Sequence, residues 1–212
     1  MNTVVSPVQE PILTMLDTSS FNDKEQYQLA YQTVSDERRK KIDRYRLGKD
    51  KRLSLGVGIL LEQGLQRIGI AEYSLTYGEH GKPYLADNKN VFFSLSHSDT
   101  LAVCVLYKQE IGLDVQKIKP VSDELIKKVT TQTEYDYLMS CGKEERKLLF
   151  FRLWTAKESY LKYLGTGFSL SPKHLEVTFG KTLTMKHDGT VASTAFDEQI
   201  LGSYVLTLCY DK

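Results

Sequence analysis

Cysteine is scarce in this chain of 212 residues. Cys104, Cys141 and Cys209 are odd in number, far apart and without a C-x-x-C pair, which excludes a disulfide framework and offers no zinc-site spacing. An excess of charge of either sign is also lacking. With 28 Lys and Arg against 27 Asp and Glu the formal net charge is +1, so the chain as a whole has no pull toward nucleic acid, and any polyanion site must come from local clustering. No stretch approaches the roughly eighteen apolar residues of a membrane span, and the N-terminus lacks a charged start followed by an apolar run. The expectation is a cytoplasmic protein with neither a membrane nor a nucleic-acid partner. Low-complexity linkers and residue-level repeats are absent as well. What is there is an ordinary globular composition, 41% hydrophobic and 26% charged, in a chain long enough for one domain or two small ones.

The stretch Phe150 to Gly167, FFRLWTAKESYLKYLGTG, organises the rest. Phe150, Leu153, Trp154, Leu161 and Leu164 recur at helical spacing, and Gly165 and Gly167 supply the stop. Glu158 and Lys162 lie four apart and so side by side; alone, such a pair is a surface ion pair stabilising a helix by about 0.2–0.5 kcal/mol. Upstream, Pro11 to Leu16 reads as a strand, and Asn22 with Glu25 as a capping box for a helix through Tyr31. Ser35 starts a second helix, and Arg38 to Arg52 carries nine basic residues against only Asp43 and Asp50, either a solvated face or a phosphate-binding surface. Leu53, Val57, Leu60, Leu61, Leu65 and Ile68 then mark a core helix after Asp50.

Between Tyr73 and Leu85, Gly78, Gly81 and Pro83 break the chain into short strands and turns, with Lys82 held extended by the proline. Val91 to Ser98 and Leu101 to Tyr107 read as a hairpin, and His97 between Ser96 and Ser98 is either a satisfied turn residue or a donor. In Ile111 to Gln116, Asp114 and Gln116 share one side of an otherwise apolar strand; an aspartate there, if buried, needs a cation or several donors. A helix near Ser122 packs Leu125, Ile126 and Val129. Thr131 with Glu134 forms a further capping box, which gives Glu134 a structural explanation. Strands follow at Leu175 to Phe179, Leu183 to Lys186, Val191 to Phe196 and Tyr204 to Tyr210, with Asp188-Gly189 as a hairpin turn. The pattern is α+β in two comparable halves, residues 1–109 and 110–212.

GLDVQ at Gly112 to Gln116 and WTAKESYLKYLGTG at Trp154 to Gly167, in that order, resemble the paired signatures of the surfactin-type (Sfp-like) 4′-phosphopantetheinyl transferases, written around G-[ILV]-D-[ILV]-E and W-x-x-K-E-[SA]-x-x-K. GKP at Gly81 to Pro83, SLSHS at Ser94 to Ser98 and the basic helix near Arg38 extend the likeness over most of the chain. The resemblance implies a pseudo-twofold α+β monomer that binds coenzyme A between its halves. It moves the phosphopantetheine arm onto a serine of an apo acyl or peptidyl carrier protein, serving fatty acid, polyketide or nonribosomal peptide synthesis, and releases adenosine 3′,5′-bisphosphate. It implies Mg²⁺ on Asp114, Gln116 and Glu158, with Lys162 on the diphosphate and Glu134 as the base that activates the carrier serine. It also implies coenzyme A contacts from Arg38, Lys41, Ser54, Lys82, Pro83, Ser96 and His97. Gln116 departs from the usual glutamate and removes one negative charge, with a greater magnesium requirement expected. The alternatives are a catalytically degenerate coenzyme A or nucleotide-binding module, and a hydrolase or other phosphotransferase using the same carboxylates.

Overall fold

The computed structural model describes residues 8–212, with the backbone alone for Phe168. It comprises two compact units, one formed by the chain through Leu75 and by Leu85–Lys108, the other by Thr76–Tyr84 and Gln109–Lys212. Each unit sets one long helix against a three-stranded antiparallel sheet, so the chain is α+β, as its pattern predicts.

In the first unit, β1 (Ile12–Asp17), β4 (Phe92–Ser98) and β5 (Leu101–Tyr107) form a sheet in the order β1-β5-β4. Helices α1 (Lys24–Thr33), α2 (Asp36–Asp43) and α3 (Gly48–Arg67) accompany it, and α3 lies on β5 and β1. Leu55, Leu61 and Leu65 of α3 and Val103 and Val105 of β5 are fully buried. Each such aliphatic side chain contributes roughly 1.5–3 kcal/mol on leaving water. The cap of α1 is Asp23, which accepts from the Gln26 amide, rather than Asn22. A 3₁₀ turn over Thr18–Asn22 occupies the residues before it and delays helix entry.

In the second unit, β6 (Ile111–Lys117), β10 (Thr194–Leu201) and β11 (Tyr204–Asp211) form a sheet in the order β10-β11-β6. Helices α4 (Asp123–Val129), α5 (Gln132–Ser140) and α6 (Lys143–Leu164) and the small sheet of β7 (Leu175–Phe179), β8 (Leu183–His187) and β9 (Thr190–Val191) complete it. The short strands β2 (Leu75–Tyr77) and β3 (Pro83–Leu85) pair with each other as a two-stranded ribbon. Phe150, Leu153 and Leu161 of α6 pack with Ile126, Leu138, Leu175 and Val205 in one core cluster.

Three sequence expectations shift. Helix α6 begins at Lys143 rather than near Phe150, because its first turns are polar and carry no apolar stripe, though Glu144 and Glu145 suit a helix N-terminus. Leu125 and Leu164 are exposed rather than packed, being at or near helix ends. The strand expected over Val191 to Phe196 is split: Thr190–Val191 ends one sheet, and β10 runs on to Leu201 through the polar residues Asp197, Glu198 and Gln199.

The contact that sets the site is α6 on β6. A Cβ at Gly112 would fall 1.8 Å from the Ser159 carbonyl oxygen and 2.5 Å from the Tyr163 nitrogen, so only glycine lets the helix lie this close to the strand. Nearby, Thr155 and Thr207 share a buried 2.8 Å hydrogen bond between α6 and β11, which opposes rotation of the helix about its axis.

Candidate active site

Asp114 lies in β6, paired in register with Thr207 of β11, and is 2% exposed. Lys162 donates to its Oδ1 at 2.7 Å and to the Leu113 carbonyl at 2.9 Å, and the Gln116 amide donates to its Oδ2 at 3.1 Å. Glu158, one helical turn before Lys162, is 9% exposed, and its Oε1 has no hydrogen-bond partner. Burial, and then the negative charge of Asp114, push its proton affinity up to about 7, with Lys162 acting in the opposite sense. An uncompensated buried carboxylate oxygen beside a second carboxylate suits an added cation. Asp114, Glu158 and the Gln116 amide could hold one. Among the described residues no three of His, Cys, Asp or Glu come together as a metal cluster, so any such ion is held by few protein ligands.

The first unit carries a separate set of basic residues. Arg38 is only 6% exposed, on α2, and its aliphatic stem and Nε lie where a Cβ on Gly58 of α3 would stand, at 2.8–2.9 Å. Among the described residues no carboxylate is within ion-pair distance of its guanidinium. Ser54, one turn before Gly58, has a buried hydroxyl without a partner. Lys41, exposed on α2, has its proton affinity lowered by partial desolvation of its ammonium and then by the Arg38 charge. A buried guanidinium without a counter-ion, a nearby ammonium and an unsatisfied hydroxyl are complementary to a phosphate. Ser96 is buried and His97 exposed toward the end of β4.

Two other expected site residues are committed within the protein. Lys82 donates to Glu110, to the Ile111 carbonyl at 3.3 Å and to the Tyr163 carbonyl at 3.1 Å, so all three of its N–H groups tie the β2–β3 ribbon to β6 and α6. Pro83 begins β3 immediately after it. Glu134 forms the capping box with Thr131 and also bonds Lys157 at 2.6 Å and the Val177 amide at 2.8 Å. None of its bonds runs to Asp114, Glu158 or Lys162. From the sequence Lys157 is a matched position of the K-E motif with no role assigned, and Thr155 and Glu110 carry no expectation.

The geometry is that of an α+β protein with a buried acid–lysine cluster where a strand meets a helix. Residues 110–209 match the 4′-phosphopantetheinyl transferase superfamily, and residues 22–109 match the N-terminal 4′-phosphopantetheinyl transferase family. The chain is 33% identical over 140 residues to the 4′-phosphopantetheinyl transferase Sfp of Bacillus subtilis strain 168, across 65% of this chain and 62% of that protein. It is 30% identical over 162 residues to a second 4′-phosphopantetheinyl transferase of Bacillus subtilis, across 75% of this chain and 70% of the relative. With HetI, a 4′-phosphopantetheinyl transferase of Nostoc sp. strain PCC 7120, it shares 36% over 127 residues, 56% of this chain and 54% of that one. The chain thus spans between about half and 70% of the length of these relatives. It belongs to the 4′-phosphopantetheinyl transferase superfamily.

Proposed function

We infer that this chain transfers the 4′-phosphopantetheine group of coenzyme A to a serine hydroxyl of an apo acyl or peptidyl carrier protein, with Mg²⁺, in the cytoplasm and as a monomer. The observation that carries this reading is the Glu158 carboxyl, buried with one oxygen unpartnered beside Asp114 and Lys162. The names of the Bacillus and Nostoc relatives support the reaction type. Consistent with a protein that acts in water, no helix among the described residues is long and apolar enough to cross a membrane.

In the reaction the serine oxygen bonds to the β-phosphorus of coenzyme A, the bond from that phosphorus to the bridging oxygen breaks, and adenosine 3′,5′-bisphosphate leaves. The serine proton passes to water. Mg²⁺ on Asp114 and Glu158, with the Gln116 amide oxygen as a third donor, would neutralise charge on the diphosphate. Lys162 spends two N–H groups on Asp114 and Leu113, which leaves the third to donate to a diphosphate oxygen as the leaving charge grows. Arg38 and Lys41 hold the 3′-phosphate end, Ser54 adds its unpartnered hydroxyl, and Ser96 and His97 line the adenosine side. Lys82 and Pro83 act here by fixing the β2–β3 ribbon against Glu110, Ile111 and Tyr163, since the Lys82 ammonium is already used internally.

The test is intact-mass spectrometry of an apo carrier protein incubated with this protein, coenzyme A and Mg²⁺, with a chelator control. The expected result is the gain of one phosphopantetheine group, lost with chelator. Coenzyme A binding with no mass change across several carriers would overturn the transferase reading in favour of a binding module. Breakdown of coenzyme A without carrier would favour a hydrolase.

A further inference from the structure

Lys157 precedes Glu158 in α6 and is wholly buried, 0% exposed. A lysine in that position is costly unless every N–H is used, and here all three are. They donate to the Val129 carbonyl at 3.0 Å, to Glu134 Oε2 at 2.6 Å and to the Pro172 carbonyl at 3.0 Å. Glu134 is 5% exposed and accepts two further bonds: Oε2 also accepts from the Thr131 amide at 2.8 Å, and Oε1 accepts from the Val177 amide at 2.8 Å. The end of α4, the start of α5, the turn at Pro172–His174 and strand β7 therefore all converge on the Glu134–Lys157 pair.

We propose that the Glu134–Lys157 pair is a positioning clamp for the metal-binding face of α6, and that Glu134 does not accept the carrier serine's proton. A base has to present a lone pair where an incoming hydroxyl can reach it. The Glu134 oxygens are instead turned to two backbone amides and an ammonium, away from solvent. On an α-helix, Lys157 is about 100° from Glu158 and about 200° from both Thr155 and Ser159. Thr155 and Ser159 hold the sheet side of α6 through Thr207 and Gly112, so Lys157 grips the opposite side. Held on both sides, the helix cannot turn, and the directions in which Glu158 and Lys162 leave it are fixed. Both residues thus act through Glu158 and Lys162 and do not touch the reacting atoms. This inference rests on the transferase reading for its kinetic readouts, though its stability and binding readouts stand without it.

The experiment is a double-mutant cycle of Glu134→Gln, Lys157→Met and both together in the full chain. Each protein is assayed at a temperature where circular dichroism shows it folded. Thermal unfolding, the magnesium half-saturation of coenzyme A binding by calorimetry, and kcat and KM for carrier transfer are measured. Each single variant strands a buried charge or its partner. We expect each to melt lower, to need severalfold more magnesium and to lose at least about tenfold in kcat. The double variant, with a neutral pair, should regain at least half of each loss, the magnesium shift included. A purely structural pair would lower the melting temperature but leave the magnesium dependence of the folded protein alone. If Glu134 is the base, the double variant stays depressed in kcat by about 10²–10⁴ with its stability and magnesium binding recovered. Either pattern overturns the clamp, as does a double variant no more stable than the singles. Absence of transfer by the wild-type chain would instead sink the transferase reading, with the melting and binding cycle still deciding the clamp.

Discussion

Glu158→Gln should stabilise the metal-free protein, and by more at alkaline than at acidic pH. In the folded chain the Glu158 carboxyl is raised from 4.5 to about 7, first by burial and then by the charge of Asp114. Between those values the folded state holds a proton that the unfolded state has released, so stability falls as pH rises through this window. The cost is absent well below pH 4.5 and complete above pH 7. A shift of this size corresponds to about 3 kcal/mol in full, of which about 1 kcal/mol is already present at pH 5. Glutamine keeps the shape and is never ionised, so the difference between wild type and variant isolates this one carboxyl. Urea unfolding of both proteins in EDTA at pH 5, 6, 7 and 8 should show the variant ahead by about 1 kcal/mol at pH 5, growing to about 3 kcal/mol at pH 8. Saturating Mg²⁺ at pH 8 should then stabilise the wild type and narrow the gap. A gap that is constant with pH would refute the electrostatic description of this cluster.

Gly112→Ala should be among the most damaging single changes, costing more than about 4 kcal/mol or preventing folding, because the added methyl meets backbone that cannot swing aside; solubility and denaturant unfolding report it. Gln116→Glu should lower the magnesium concentration needed for half-maximal transfer, since it replaces a donor to Asp114 with a third carboxylate in the cluster; an unchanged magnesium titration would count against this account of the position. Arg38→Ala should weaken coenzyme A binding at least about tenfold in calorimetry while leaving desphospho-coenzyme A, which lacks the 3′-phosphate, little affected. Equal losses for both ligands would move Arg38 away from that phosphate.

Much of this was legible in the residues. The alternation around Asp114 gave its strand, and Thr131 with Glu134 gave the cap that α5 wears. The spacing through Leu53 to Ile68 gave the core helix of the first unit. Less visible were features that depend on who meets whom. The attachment of Thr76–Tyr84 to the second unit depends on Lys82 reaching Glu110, Ile111 and Tyr163, and no local pattern encodes such a reach. The first turns of α6 were hidden because charged residues fill them, and β10 because its middle is Asp, Glu and Gln. Within the acid–lysine cluster, strand alternation singled out Asp114, and the family resemblance supplied Glu158 and Lys162 as its partners. That Glu158 holds an unpartnered oxygen, and that Lys157 lies inside rather than out, are facts of burial that spacing does not contain.

The bare backbone at Gly112 also works as a gauge. Strand and helix touch through main-chain atoms there, so the approach of the backbone carrying Asp114 to the backbone carrying Glu158 is set by peptide geometry and not by side chains that could be exchanged or repacked. Aliphatic substitutions elsewhere in the core of the second unit can loosen it or tighten it without altering that backbone approach. A neighbour such as Gln116 is therefore free to vary in charge, because the frame that spaces the two acids does not depend on it.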